Sequence, residues 1–419
     1  MHEDYRVRFE RLQEGTLYPL LEPAEQDFIR NIAGEYRFTF QELRQVITAS
    51  RDLSMWSEPC LEQWWPDQEA AVGLSGRPRK KELLRLLREH LQALRRGPKR
   101  YPPQPAPAPK RKPYRIQVTS TERQLFGRCP VYSEDTVCCG LRTLDAVARC
   151  AMGCSYCTIQ TFYGEDVVIE ADLGRHLADI ELDPGRFYHI GTGQSSDSLL
   201  WGNRSSLLEA LFGFADRHPN VLLELKTKSA NVGYLLEHPV PPNLVCTWSL
   251  NTPTVIAHEE HHTARLEQRL KAAERVAARG IPVGFHLHPL IHYEGWQEEY
   301  AALAGMVLAR FAPEQVLFLS LGTVTFIKPV LKEIRRRGMR TRVTQMELEP
   351  DPKGKLTYPA PVKQLLYRSV LQAFEAWQGR VFIYLCMEPA PVWQSAFGFS
   401  YPDSRAFQEA FAGYLQSRR

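Results

Sequence analysis

From about residue 140 onward, short apolar runs alternate with amphipathic stretches, and this alternation constrains the fold of the 419-residue chain more than any other feature. The strand-like runs are 186–193 (RFYHIGTG), 220–228 (NVLLELKTK), 243–251 (NLVCTWSLN), 281–291 (IPVGFHLHPLI) and 314–322 (EQVLFLSLG). Helical spacing of apolar residues lies between them, most clearly over 264–279 and 296–311. Parallel strands need a long crossover, usually a helix, so the pattern predicts a parallel α/β sheet or barrel. Chemistry in such folds gathers at the C-terminal strand ends. Those ends are polar here: Gly191 to Asp197, Lys228 and Ser229, Ser249 to Thr252, and His288 to Trp296.

The preceding part reads differently. Residues 23–36 and 38–53 carry apolar residues at helical spacing, and 79–96 places Leu83, Leu84, Leu87, Leu91 and Leu94 on one face with a basic face opposite. Such a helix can lie on nucleic acid, a membrane or a partner, but burial of its leucines in its own domain is the commoner outcome. PKRYPPQPAPAPKRKP at 98–113 is a semi-extended linker, because proline fixes φ and lacks an amide hydrogen. The expected organisation is a helical domain over 1–97, a basic Pro-rich linker over 98–115, an α/β domain over 116–390 and a C-terminal helical segment over 391–419.

Charge is unevenly spread. Residues 1–75 hold 7 Lys+Arg against 14 Asp+Glu, whereas 76–115 hold 14 against 2. The second block is a candidate contact for a polyanion; a solvated linker is the alternative. No apolar run approaches the ~18–20 residues that span a bilayer, and MHEDYRVRFERLQEG is not a secretion signal. The expectation is a cytoplasmic protein with no membrane contact.

Six of the nine cysteines fall between 129 and 157. In a chain of this length and class such clustering points to a metal site rather than a disulfide framework. Cys150-Ala-Met-Gly-Cys154-Ser-Tyr-Cys157 forms CxxxCxxC at the head of the α/β region. Three thiolates on one loop can hold three corners of a [4Fe-4S] cluster and leave one iron open. That iron can chelate S-adenosyl-L-methionine, and an electron from the cluster would release a 5′-deoxyadenosyl radical. Soft thiolates also suit zinc, so a structural zinc site competes, although a closed one wants four ligands.

Around this loop stand further blocks: CSYCTIQT at 154–161, SSD at 195–197, TKS at 227–229, WSLN at 248–251, YEGWQEEY at 293–300 and LGTVTFIKP at 321–329. In this ordered set the chain resembles the spore photoproduct lyase family of radical S-adenosylmethionine enzymes, from about residue 140 to 390. The resemblance implies a partial (β/α)6 TIM-like radical SAM barrel over 116–390, with a helical N-terminal extension. It implies a [4Fe-4S] cluster on Cys150, Cys154 and Cys157, with S-adenosyl-L-methionine as cosubstrate. Ser196, Lys228 and Ser249 match cosubstrate contacts; the lysine can pair with its carboxylate and the hydroxyls can bond its polar ends. Gly191 and Gly193 leave room for close backbone approach. His288 aligns with a residue near the cosubstrate. The implied substrate is nucleic acid, DNA favoured, carrying a thymine dimer of the spore photoproduct type. An electron donor such as flavodoxin or ferredoxin is implied as a partner.

The departures concern the substrate half of the reaction. The family's hydrogen-donating cysteine aligns with Gln194, whose amide is no useful donor. Of two tyrosines flanking the third cluster cysteine, Tyr156 is present and Thr158 replaces the other. Tyr156 and Gln194 are therefore the candidate catalytic positions, with Cys246 a conceivable substitute donor or a buried apolar residue. Another substrate, such as modified RNA or a peptide, is the alternative; a non-enzymatic zinc-containing nucleic-acid-binding protein is a further one.

Other groups are less specific. His258-Glu-Glu-His-His262 matches HExxH in letters but lies at a loop-to-helix transition, where a solvated loop is expected. His286 and His288 share a strand face, with His292 nearby, and fit a pocket or a hydrogen-bonded core. Cys129, Cys138 and Cys139 fit a second metal or cluster or plain loop thiols, and the absence of a fourth ligand at recognisable spacing favours loop thiols. The run Arg335 to Arg342, followed by Lys353, Lys355, Lys363 and Arg368, fits phosphate contact or the end of a helix.

Overall fold

The computed structural model describes residues 4–108, 113–130, 132–351 and 353–418. The expected linker therefore lies partly outside the described residues, at 109–112. The chain forms two compact units, Met1–Ala106 with Phe326–Glu349, and Pro107–Thr325 with Pro350–Arg419.

The first unit contains α1 (Tyr5–Gln13), α2 (Pro23–Tyr36), α3 (Phe40–Trp56), α4 (Leu61–Ala71) and α5 (Gly76–Arg96). The start of α3 is fixed by Thr39, whose side chain accepts from the Glu42 amide while Glu42 accepts from the Thr39 amide. α5 buries Leu83, Leu84, Leu87 and Leu91, which leaves Leu94 half-buried. Each fully buried leucine contributes about 1.5–3 kcal/mol, so this face is satisfied within the unit. Its basic face is partly spoken for as well: Lys80 pairs with Glu42, Arg85 with Glu82 and Glu89, and Arg95 with Asp52.

Residues 326–349, inside the span expected for the barrel, complete this helical unit. The reason is a buried polar junction. Asp52, 1 % exposed, accepts from Arg335 at 2.7 and 3.0 Å. Arg51 donates to the carbonyls of Arg335 and Arg336 at the end of helix Lys328–Arg337. Gly338 ends that helix at φ +63, and a Cβ there would lie 2.0 Å from the Arg51 guanidinium. The basic run is thus largely engaged internally: Arg336 and Arg337 hold Glu333, and Arg342 holds Glu58.

The second unit is built on eight strands in chain order: β1 (Phe126–Arg128), β2 (Arg142–Leu144), β3 (Tyr188–Thr192), β4 (Val221–Thr227), β5 (Leu244–Ser249), β6 (Val283–Leu290), β7 (Val316–Thr323) and β8 (Phe382–Leu385). β1 and β2 are antiparallel; β2 to β8 are parallel, each paired with the next. Six crossovers containing helices join these seven strands, which gives the expected partial (β/α)6 barrel.

Side chains alternate across the sheet. His189, Glu224, Thr247 and His286 meet on its interior face. Phe318 packs on His189 and His286 from the same side. The C-terminal helix Ser404–Ser417 lays Phe407 and Phe411 against Phe382 and Tyr384, with Phe411 also reaching Phe318 and His189. Among the described residues, no helix is long and apolar enough to cross a membrane.

Replacing Asp52 by Ala leaves Arg335 and Arg95 without their shared carboxylate. A broken buried pair costs about 3–5 kcal/mol; Arg335 retains some solvent, so about 2–3 kcal/mol is expected from urea unfolding of Asp52→Ala. A loss below about 0.5 kcal/mol, the scatter of ordinary surface changes, would contradict the junction.

Candidate active site

The CxxxCxxC loop is held by the segment that carried the HExxH letters. Helix Pro253–Glu259 ends there, and Glu260–His261 forms a short strand. It pairs antiparallel with Gly153–Cys154, with Cys154 opposite Glu260 and Gly153 opposite His261. The Ser155 amide donates to the Glu259 carbonyl at 2.8 Å. The Ser155 hydroxyl donates to the Glu259 carboxylate, and the Tyr156 phenol donates to that of Glu260. These letters therefore build a brace for the cysteine loop and not two histidines on one helical face.

Glu260 is 3 % exposed and bonds Arg269 at 2.5 Å. Arg269, fully buried, also donates to the carbonyls of Ser249 and Ala264, each at 2.8 Å. Burial opposes ionisation of Glu260, yet Arg269 and Lys228 hold its carboxyl below the ordinary range. One guanidinium thus ties the end of β5 to the brace.

Two neighbouring strand ends close on the same loop. Asp197, after β3, accepts from the Thr227 hydroxyl at 2.8 Å and the Lys228 amide at 2.6 Å. It also accepts from the amides of Leu199 and Leu200. Lys228 follows β4, and its ammonium lies 5.9 Å from the centre of the Tyr156 ring. Burial works against that charge, but Glu260 and Cys154 raise the lysine above its usual pKa. Ser196 is buried and accepts from the Trp201 indole at 3.0 Å. Gly193 has φ +91, and a Cβ there would lie 2.7 Å from the Lys226 carbonyl, so only glycine fits. At Gly191 the clearance is taken up by Leu141. Gln194 follows on the same loop, half-buried.

None of Cys150, Cys154 and Cys157 is in a disulfide. Cys150 is hydrogen-bonded to the backbone of Asp197, and its thiol and that of Cys154 sense Cys157 electrostatically. Burial, with Asp197 and Cys157 adding, pushes the Cys150 thiol up to about 12. Three soft sulfurs on one half-buried loop, with an ammonium beside them, suit a cluster whose binding displaces the thiol protons. Among the described residues no three His, Cys, Asp or Glu side chains converge as ligands of a single ion.

Behind the loop the interior holds a polar network. Glu224 accepts from His189 at 2.8 Å, His286 at 2.6 Å and the Thr247 hydroxyl at 2.7 Å. Burial disfavours its charge, but the two histidines hold its carboxyl well below the usual range. His288 bonds the Ser320 hydroxyl at 3.0 Å, and its ring packs against Gly322. Cys246 falls on the other face, in register with Leu225 and Val283, fully buried as an apolar residue. A cavity of about 640 Å³ lies at the opposite strand ends, lined by Asn243, Arg279 and Leu317, away from the cysteine loop.

The family model described as spore photoproduct lyase matches residues 143–358, about half of the chain. The chain belongs to the spore photoproduct lyase family. The spore photoproduct lyase of Clostridium acetobutylicum is 27% identical over 168 residues, which are 38% of this chain and 49% of that protein. The one from Bacillus subtilis is 26% identical over 203 residues, 46% of this chain and 59% of its own length. The chain thus spans about half to three-fifths of the curated relatives it matches. A solved spore photoproduct lyase mutant with dinucleoside spore photoproduct superposes with TM-score 0.56 at 21% identity, over 64% of this chain and 82% of that one. Another, with bound AdoMet as well, gives 0.55 at 20% over the same shares. At that identity the likeness is one of fold.

Several site residues of this spore photoproduct lyase family member escaped sequence reasoning. Glu259, Glu260 and Arg269 brace the loop from far along the chain, and Asp197 ties β3 to β4. His189 and Glu224 looked like ordinary strand residues; a carboxylate inside a buried strand was the available signal.

Burial pushes His286 below its ordinary pKa and His288 well below it. Each therefore binds its proton more weakly in the fold than in the unfolded chain. Stability therefore rises with pH in this window: it is fully present above the ordinary histidine value of about 6.5 and is lost as pH falls through the depressed values. His288→Gln should flatten the fall in urea midpoint between about pH 7 and about pH 5. An unaltered slope would contradict this assignment.

Proposed function

We propose that the chain is a radical S-adenosylmethionine enzyme acting on nucleic acid, with a spore-photoproduct-type DNA lesion as the favoured substrate. The observation that carries this reading is the loop of three cysteines, none in a disulfide, braced by Glu259 and Glu260 where the ends of β3, β4 and β5 meet. Family membership and the folds of relatives titled with dinucleoside spore photoproduct support it.

In this reading Cys150, Cys154 and Cys157 hold a [4Fe-4S] cluster. Bound together, cluster and S-adenosyl-L-methionine supply a carbon radical that takes hydrogen from the substrate. The chain's own residues do the rest. Lys228 offers its ammonium to the cosubstrate carboxylate, while the Glu260 carboxylate favours that charge and orients the Tyr156 phenol. Ser196, Ser249 and His288 offer polar contacts around Gly191 and Gly193. Asp197 keeps the β3 and β4 ends at fixed separation, so these contacts are set before the cosubstrate arrives. Lys81 and Arg88 on the exposed face of α5 add charge for a polyanion, with the 76–115 block. A small cytoplasmic carrier such as flavodoxin or ferredoxin is the expected electron donor.

A second reading keeps the radical generator and changes the substrate to modified RNA or a peptide. Gln194 favours it, because no thiol stands at the position where the family returns hydrogen.

The test is anaerobic incubation of the reconstituted, reduced full chain with S-adenosyl-L-methionine and spore photoproduct dinucleotide. The expected products are 5′-deoxyadenosine and recovered thymines by mass spectrometry, both absent from Cys154→Ala. Cosubstrate cleavage without thymine recovery would reject the lesion and leave the second reading. No cleavage at all would reject both.

A further inference from the structure

The cysteines left outside the loop do not scatter. Cys129 continues β1, and its amide donates to the Leu141 carbonyl at 3.1 Å, which sets it across the ladder from the segment carrying Cys138 and Cys139. The thiols of Cys138 and Cys139 share a hydrogen bond. Val137 bridges Glu388 in an isolated antiparallel pair, with the Val137 amide 3.0 Å from the Glu388 carbonyl. That bridge brings in Cys386, two residues earlier, at the end of β8. The thiols of Cys129 and Cys386 lie within electrostatic reach of Cys139.

The setting is built, not incidental. Glu388, 2 % exposed, is anchored by Lys363 at 2.8 Å, Tyr367 at 2.7 Å and Thr323 at 3.2 Å. The Cys138 amide donates to Ser404 at 3.0 Å, and Gln408 donates to the Cys138 carbonyl at 3.2 Å. The Cys386 amide donates to the Leu321 carbonyl at 2.7 Å. Cys386 continues the face of Tyr384, whose register partner Ser320 holds His288, so this group borders the barrel interior. Lys355 stands near Cys138 and Lys226 near Cys386, two ammonium groups that can offset thiolate charge.

We propose that Cys129, Cys138, Cys139 and Cys386 ligate a second iron–sulfur cluster, beside the barrel interior and separate from the Cys150 loop. Four soft sulfurs from three chain segments form a complete ligand set for such a cluster. The assignment stands apart from the radical reading, since no residue is shared.

The test uses the full chain with Cys150, Cys154 and Cys157 all changed to Ala, reconstituted anaerobically with ferrous iron and sulfide. The expected result is about two to four iron per chain with visible thiolate-to-iron absorption. Adding Cys138→Ser and Cys139→Ser should remove it, while adding Cys60→Ser should not; circular dichroism matched to the parent checks folding. A colourless parent variant that is folded and binds no iron would overturn the proposal, as would retention of all iron after the Cys138 and Cys139 changes. In the otherwise unchanged chain, Cys138→Ser with Cys139→Ser should lower iron by that same amount and leave the remainder. Iron in the triple variant equal to that of the unchanged chain would reject the Cys150 loop as a ligand set and leave this one standing.

Discussion

The buried contact between Glu260 and Arg269 is the interaction on which the candidate site depends. Neither charge can be inside the protein alone, because an unpaired buried ion costs several kcal/mol. Paired, they bond the site further: Glu260 takes the Tyr156 phenol, and Arg269 takes the Ser249 and Ala264 carbonyls and the Thr263 hydroxyl. The cysteine loop is therefore positioned by electrostatics that cannot be relaxed piece by piece.

The interior repeats the principle one layer deeper. A single carboxylate, Glu224, satisfies donors from three neighbouring strands, so β3 to β6 are cross-linked through their inner faces as well as through the backbone ladder. Polar networks of this kind are costly when half-satisfied and specify one arrangement when complete. Beneath it, Phe318, Phe382, Tyr384 and the Phe407–Phe411 pair supply apolar packing. The polar groups and the aromatic groups share the interior face, with Phe318 packed on both histidines.

Much of this was legible from the chain alone. The five central strands fall within about two residues of where period-two and apolar runs place them, because buried parallel strands leave continuous apolar signatures. β1 and β8, of three and four residues, left no such signature. The allegiance of 326–349 was not readable, since it rests on Asp52 and Arg335, 283 positions apart. The same holds for the place of Cys386, which the bridge between Val137 and Glu388 brings to the segment of Cys138 and Cys139 across some 250 positions. The letters of His258 to His262 suggested zinc chemistry, but their backbone follows the cysteine loop as a strand. Local patterns revealed elements; long-range charge pairing, invisible to them, decided how the site is braced.

The central claim is that the Cys150 loop presents an iron with a free coordination position to the cosubstrate. Electron–nuclear double resonance on the reduced full chain, given S-adenosyl-L-methionine labelled with nitrogen-15 at its amino group, tests it most directly. The account predicts hyperfine coupling between that nitrogen and the reduced cluster. A reduced, iron-loaded sample that shows no such coupling would contradict it.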